Sequence, residues 1–279
     1  YEGHAELAVS NALGGLAVQT AFIAVADLAF VKANLEHSAA SLENIFQGVL
    51  LILLLSIPLL GMASPEISIG SVHPVSFLLL IVYGMGLYLV GTVKKAPMWW
   101  PKSTDKTVLD APDETLPMTR SEFWIAFRSF LVTAILVSVS GYLVAEAGIA
   151  ISVQTGLSET LIGTLLLAIS TSLPELVTSV AAVRQGAPTL AVSDILGGNS
   201  FEILFLAFSD FVFTSGPLYA AITDRILFLM GLSLLLISLL LFGLIRREKY
   251  GIFNIGLETF LIIVTYSGAM IVLATLESS

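Results

Sequence analysis

Cysteine is absent from the 279 residues, which excludes disulfides and thiolate metal sites. Charge is scarce as well. Asp, Glu, Lys and Arg make up 12% of the chain, against about 25% in a soluble domain, while 56% is hydrophobic and the mean hydropathy is +0.94. Such a balance excludes a soluble domain and leaves an integral membrane protein whose first partner is the lipid bilayer. The net charge of −9 gives no reason to expect a nucleic-acid partner. Histidine is nearly absent too: His4, His37 and His73 are not spaced as metal ligands. With no Ser/His pairing either, an intramembrane hydrolase is disfavoured and a non-enzyme is expected.

What is present is apolar helix. Eight spans are read, at roughly 5–30, 45–63, 75–93, 122–150, 159–183, 188–213, 222–245 and 252–275, with a kink expected at Pro58. The polar stretch 94–121 reads as a loop, with Trp99 and Trp100 at the interface. Walking through the spans puts Lys32, Lys94, Lys95, Lys102, Lys106, Arg120, Arg128, Arg184, Arg246, Arg247 and Lys249 on one side. Only Arg225 falls on the other. The positive-inside rule then makes the 94–121 loop cytoplasmic and puts the C-terminus outside; a plasma (inner) membrane is the expected location.

Two interruptions stand out: Ser170-Thr171-Ser172-Leu173-Pro174-Glu175 and Gly197-Gly198-Asn199-Ser200-Phe201-Glu202. A carboxylate at membrane depth is costly and usually has a role or a partner. A turn signal, Gln185-Gly186-Ala187-Pro188, lies midway between the two acids. In a helical hairpin Glu175 and Glu202 would each sit roughly 20 Å from that turn, near the middle of the bilayer. Pro174 has no N–H for the Ser170 carbonyl and frees a backbone oxygen there, Thr171 and Ser172 add hydroxyls, and Asn199 shares a helix face with Glu202. Oxygens of this kind are what a hard cation requires. The alternative is a proline kink with a protonated, hydrogen-bonded Glu175.

The chain also repeats. Residues 1–30 align without gaps with 184–213 at an offset of 183, matching Leu7-Ala8-Val9-Ser10, Gly14-Gly15 and Asp27 with Leu190-Ala191-Val192-Ser193, Gly197-Gly198 and Asp210. Four spans lie between the copies, so the first and sixth spans run in opposite directions. That is the inverted-topology repeat of secondary transporters, with the site expected at the repeat interface. Gln19 occupies the place of Glu202, Leu16 that of Asn199, and Asn11 that of Asp194. The partition read from this is 1–93 for a first repeat incomplete at its N-terminus, 94–121 for the connecting loop and 122–279 for the second repeat. A counterpart of the Glu175 helix is expected upstream of residue 1. Asp27 and Asp210 are expected to cap or pair near their helix ends, a relay or vestibule role being the alternative. Glu146 and Glu258 are expected to be interfacial.

The run Gly163-Thr164-Leu165-Leu166-Leu167-Ala168-Ile169-Ser170-Thr171-Ser172-Leu173-Pro174-Glu175, followed by Asp194-Ile195-Leu196-Gly197-Gly198-Asn199-Ser200-Phe201-Glu202, resembles the cation/calcium exchanger superfamily. The resemblance implies ten helices in two inverted halves, this chain corresponding to helices three to ten. It also implies a set of cation ligands at Ala168, Thr171, Ser172, Glu175 and Glu202, joined by Gln19, with Ser170 and Asn199 added from the residue chemistry. The chain departs from the family pattern at Ser170 (Gly), Asp194 (Asn), Glu202 (Asp or Asn) and Gln19 (Asn). The expected activity is antiport of Ca2+ or a similar divalent cation for Na+, with the ions as cargo and no resident cofactor. Proton-coupled exchange (H+ in place of Na+) and a non-transporting sensor or scaffold on the same fold are the alternatives.

Overall fold

The computed structural model describes residues 5–30, 33–65, 67–105, 107, 119–213, 218–249, 251 and 255–275. His4, Lys32, Lys106, most of the second half of the 94–121 loop and the first residues expected in the last span lie outside them. The described chain is all-α. Its helices are α1 (Ala5–Ala29), α2 (Leu35–Ala39), α3 (Leu42–Ala63), α4 (Pro74–Lys95), α5 (Arg120–Thr155) and α6 (Glu159–Leu161). A π-helical turn, Ile162–Leu167, follows α6 and leads into α7 (Ala168–Thr171) and α8 (Leu173–Gln185). Next come α9 (Pro188–Glu202), α10 (Leu204–Val212), a 3₁₀ turn at Leu218–Ala221, α11 (Asp224–Arg246) and α12 (Leu257–Thr275). Seven described helices are long and apolar enough to cross a membrane, and the bent pair 159–171 and 173–185 makes up to eight. Within the spans, α3 runs unbroken through Pro58.

Helix ends are set by local chemistry. Ser41, His73 and Thr119 cap α3, α4 and α5 by accepting first-turn N–H groups, and Thr119 with Glu122 forms a reciprocal capping box. The turn expected at 185–188 is a Schellman stop. Gly186 sits in the left-handed region (φ 83°), and Ala187 N–H reaches back to the Ala182 carbonyl at 2.9 Å. Pro188 then opens α9, and α8 and α9 pack as a hairpin.

The core is formed by α1, α3, α9, α10, α11 and α12. It holds Leu13, Leu16, Leu51, Leu54, Leu196, Leu236 and Leu240, each fully buried. By contrast α5 exposes most of its apolar surface and meets the rest of the molecule at Gly148, which Leu167 covers.

The repeat reaches much further than the first helix. The offset of 183 relates α1 to α9 and α10, α2 to the 3₁₀ turn, α3 to α11 and α4 to α12, each within a few residues at its ends. Hydrogen bonds obey the same offset. Asp27 Oδ1 accepts Leu35 N–H at 2.7 Å and its Oδ2 accepts Gly256 N–H at 3.0 Å. Asp210 Oδ1 accepts Leu218 N–H and its Oδ2 accepts His73 N–H, both at 2.8 Å. Each residue in the second set is the 183-shifted mate of one in the first. Both aspartates are fully buried. They clamp the elbow after their own helix to the start of the opposite repeat's last helix, which is the capping role, now seen to join the repeats.

Candidate cation site at the repeat interface

The site begins with two breaks. The first falls at Ser172 (φ −94°, ψ 1°), where α7 ends and α8 begins with a bend of 41°. Pro174 stands in the first turn of α8, where its missing N–H leaves the Ser170 carbonyl without its helical donor. The Ser172 carbonyl restarts the ladder by accepting Leu176 N–H at 3.2 Å. The second break is at Ile203, directly after Glu202, and separates α9 from α10. Its equivalent in α1 is absent, since α1 is continuous from Ala5 to Ala29.

Between these breaks the side chains of α1, α7, α8 and α9 converge. Gln19 Nε2 donates to Glu202 Oε1 at 2.6 Å and to Ser172 Oγ at 3.2 Å. Asn199 Nδ2 donates to the Leu16 carbonyl at 3.4 Å and to Thr20 Oγ1 at 3.3 Å. Gln19, Ser172 and Asn199 are all buried. Close approach depends on two glycines of α1. A β-carbon at position 14 would lie 2.7 Å from Thr164 Cα and 2.9 Å from Ala168 Cβ, and one at position 15 would lie 3.0 Å from Glu202 Oε2 and 3.6 Å from Ser172 Oγ.

Four buried oxygens here have no hydrogen-bond donor: Glu202 Oε2, Glu175 Oε2, Gln19 Oε1 and Asn199 Oδ1. An unsatisfied buried acceptor costs roughly 1–3 kcal/mol, so four in one region demand an explanation. All are hard oxygens, the ligand type of alkali and alkaline-earth cations. Glu175 is half-buried. No group of three or more His, Asp or Glu side chains is arranged to hold a metal ion by itself among the described residues. Among the described residues the acids at this site are Glu175 and Glu202, accompanied by neutral oxygens.

The structure brings Glu202, Gln19 and Ser172 into one bonded cluster and sets Asn199 and Glu175 around it. It treats the other hydroxyls differently. Ser170 is exposed and donates to the Leu166 carbonyl at 2.6 Å, and Thr171 Oγ1 donates to the Leu167 carbonyl at 2.9 Å. Thr171 also reaches Asn11 Oδ1 at 3.5 Å. The Ser170 proton is spent on its own helix, and the Thr171 proton is shared between its own helix and Asn11. Ala168 is buried under Gly14. Three contributors were not among the expected ligands: Thr20 and Asn11 of α1, and Thr178, which donates to Asp194 Oδ2 at 3.1 Å. Asn11 and Asp194 are mates under the offset, and that correspondence could have flagged both as site borders. Glu258, expected to be interfacial, is bound by Arg246 at 2.8 Å.

Comparison with known proteins agrees with this architecture. The sodium/calcium exchanger protein family matches residues 125–275, more than half of the chain, and the chain belongs to that family. It is 29% identical over 250 residues to CaxA of Alkalimonas amylolytica, named as an antiporter, covering 88% of this chain and 74% of that protein. It is 31% identical over 130 residues to human sodium/potassium/calcium exchanger 5, covering 45% of this chain and 25% of the relative. It is 39% identical over 80 residues to the sodium/calcium exchanger MaX1 of Methanosarcina acetivorans, covering 29% of this chain and 23% of the relative. No solved structure matches the chain. At the level of the family the protein is a membrane transporter of the cation and calcium antiport class.

Proposed function

We propose that this protein exchanges Ca2+, or a divalent cation like it, for Na+ by alternating access, with the cation held among Glu175, Glu202, Gln19, Asn199, Ser172 and the freed carbonyl of Ser170. Thr171 and Ala168 border the same space. The observation that carries the reading is the set of four buried, donor-less oxygens gathered where the two repeats meet. Two carboxylates match the charge of one divalent ion. An empty, doubly charged site would be costly to carry through a low-dielectric barrier, and that couples the two half-cycles.

The two repeats, 1–93 and 122–279, are the bodies whose interface holds the site, with 94–121 connecting them on the cytoplasmic side. The basic ends support that sidedness. Arg247 Nη1 donates to the Lys102 carbonyl at 2.8 Å and Lys249 pairs with Asp105 at 2.8 Å, so the loop and the end of α11 share one face. A plasma (inner) membrane location belongs to the same proposal.

The test is 45Ca2+ uptake into proteoliposomes under an imposed Na+ gradient or an imposed pH gradient. Uptake driven by the Na+ gradient, and lost in Glu175→Gln, is expected. Uptake driven only by the pH gradient would replace Na+ with H+ as the coupling ion. No uptake under either gradient would reject exchange.

A further inference from the structure

The offset of 183 makes Glu36 the mate of Tyr219. Tyr219 is buried beside Asp210, and its hydroxyl lies 3.0 Å from Ser76 Oγ, which also donates to Asp210 Oδ2 at 2.7 Å. Burial pushes the Tyr219 phenol up, so this end of the molecule uses a neutral hydroxyl. At the opposite end Thr259, the mate of Ser76, donates to Glu36 Oε1 at 2.5 Å. Glu36 is fully buried and its Oε2 has no partner. The carboxyl is seated where α11 and the start of α12 lack side chains, since a β-carbon at Gly243 or Gly256 would collide with it. The shifted mates of those glycines are Leu60 and His73, so the cradle is peculiar to the Glu36 end.

The charged groups facing Glu36 are mostly acidic. They are Asp27 from α1, Glu258 from α12 and Glu248 just after α11. Arg246 of α11 acts from a distance, its guanidinium bound to Glu258 at 2.8 Å and Glu248 at 3.1 Å. Neighbouring His37 is held between the Arg247 carbonyl and Thr104 Oγ1, and Arg247 donates to the His37 and Lys102 carbonyls. From α9, Asp194 and Glu202 point to Thr178 and Gln19 instead. Burial first, and these carboxylates after it, raise Glu36 from the usual carboxylate range to about 8, against the opposing bond from Thr259.

We propose that Glu36 is a proton-binding latch, separate from the central site, whose neutral form seats α2 in the Gly243/Gly256 cradle and whose ionised form unseats it. In the neutral form the carboxyl plays the part of the Tyr219 phenol in the other repeat. Ionised, it places a second unpaired charge beside Asp27, the residue that holds the α2 elbow and the start of α12 together. The C-terminal end of α1 then loses its anchor, and α1 is the helix that carries Gln19.

The sign follows from linkage. The folded state holds a proton that the unfolded chain gives up near the normal carboxylate pKa. The stability contributed is thus complete below that value and is lost as pH rises through about 8. Thermal unfolding in detergent between pH 6 and pH 9 should show a midpoint falling by several degrees for the wild type and a flatter profile for Glu36→Gln. Infrared titration should show a protonated-carboxyl band that disappears with a midpoint near 8 and is missing in the variant. A Glu36→Gln profile parallel to wild type, with the band retained, overturns the latch. If Glu36→Gln does not fold, Glu258→Gln removes a facing charge and frees Arg246, so the band's midpoint should drop; an unchanged midpoint overturns the proposal. Neither readout involves transport, so both stand apart from the exchange reading.

Discussion

The helix α1 and its mate, α9 with α10, begin alike and end alike but differ in the middle. Both carry a Gly-Gly pair and both finish on a buried aspartate that gathers two backbone N–H groups, one from each repeat. Yet α1 is continuous, while its mate breaks at Ile203, one residue past Glu202. Where α9 has Asn199 and Glu202, α1 has Leu16 and Gln19. The difference separates two demands on one repeat. The ends are scaffold, where each half needs the same clamp. The centre is a shared site, where Glu202 of one mate helix meets the amide donor of Gln19 on the other.

The largest effects are expected where the halves agree. Replacing Asp27 or Asp210 by Ala leaves two buried N–H groups without an acceptor, which costs roughly 4 kcal/mol at 1–3 kcal/mol each. Asp210 should cost more, since Ser76 also loses its acceptor. Asn at either position should fail as well, because its amide nitrogen faces an N–H donor. Thermal unfolding of the four variants checks this. A tolerant Asp27 beside an intolerant Asp210 would break the equivalence of the clamps.

The next effects fall where the halves differ. Glu202→Gln removes a charged ligand and should weaken Ca2+ binding by about 2 kcal/mol, roughly 30-fold. Gln19→Ala removes one neutral ligand and one donor to Glu202, so a loss of about 1 kcal/mol, roughly 5-fold, is expected. Ca2+-dependent stabilisation of the purified protein measures both. Equal losses would mean that the amide matters as much as the acid and that the centre is more symmetric than its residues.

How much of this could be read from the sequence follows the same division. The spans were legible because apolar runs of bilayer length permit little else, and the break at Ser172 was legible because Pro174 cannot complete the ladder. The acids were legible as exceptions at membrane depth. The break after Glu202 was not, since no proline or glycine marks Ile203 and the preceding Gly-Gly lies within continuous helix. The burial of Glu36 was also hidden. A glutamate between two spans reads as solvent-facing until Gly243 and Gly256, more than 200 residues away, are found to make room for it. The full length of the repeat was obscured by drift in its apolar residues. It emerges from backbone hydrogen bonds, which keep their partners when side chains change.

The glycine pairs look most symmetric, and one member of each should show the smallest effects of all. Gly14 and Gly197 are mates in identical sequence settings, but a β-carbon at 14 would strike the Thr164 backbone, whereas one at 197 meets nothing within 4 Å. Gly14→Ala should therefore destabilise by about 1–3 kcal/mol through overpacking. Gly197→Ala should be neutral, or stabilise by up to about 1 kcal/mol through better helix propensity. Gly15 and Gly198 repeat the contrast at the site itself. A β-carbon at 15 approaches Glu202 Oε2 to 3.0 Å, while at 198 the nearest atom is Gln19 Oε1 at 3.8 Å. Gly15→Ala should weaken cation binding with little loss of stability, and Gly198→Ala should change neither. The stability pair tests helix packing and the binding pair tests which side of the Gly-Gly step faces the carboxylate. If Gly197→Ala proved as costly as Gly14→Ala, α9 would have to pack against another surface in the membrane, and the repeat would be symmetric there after all.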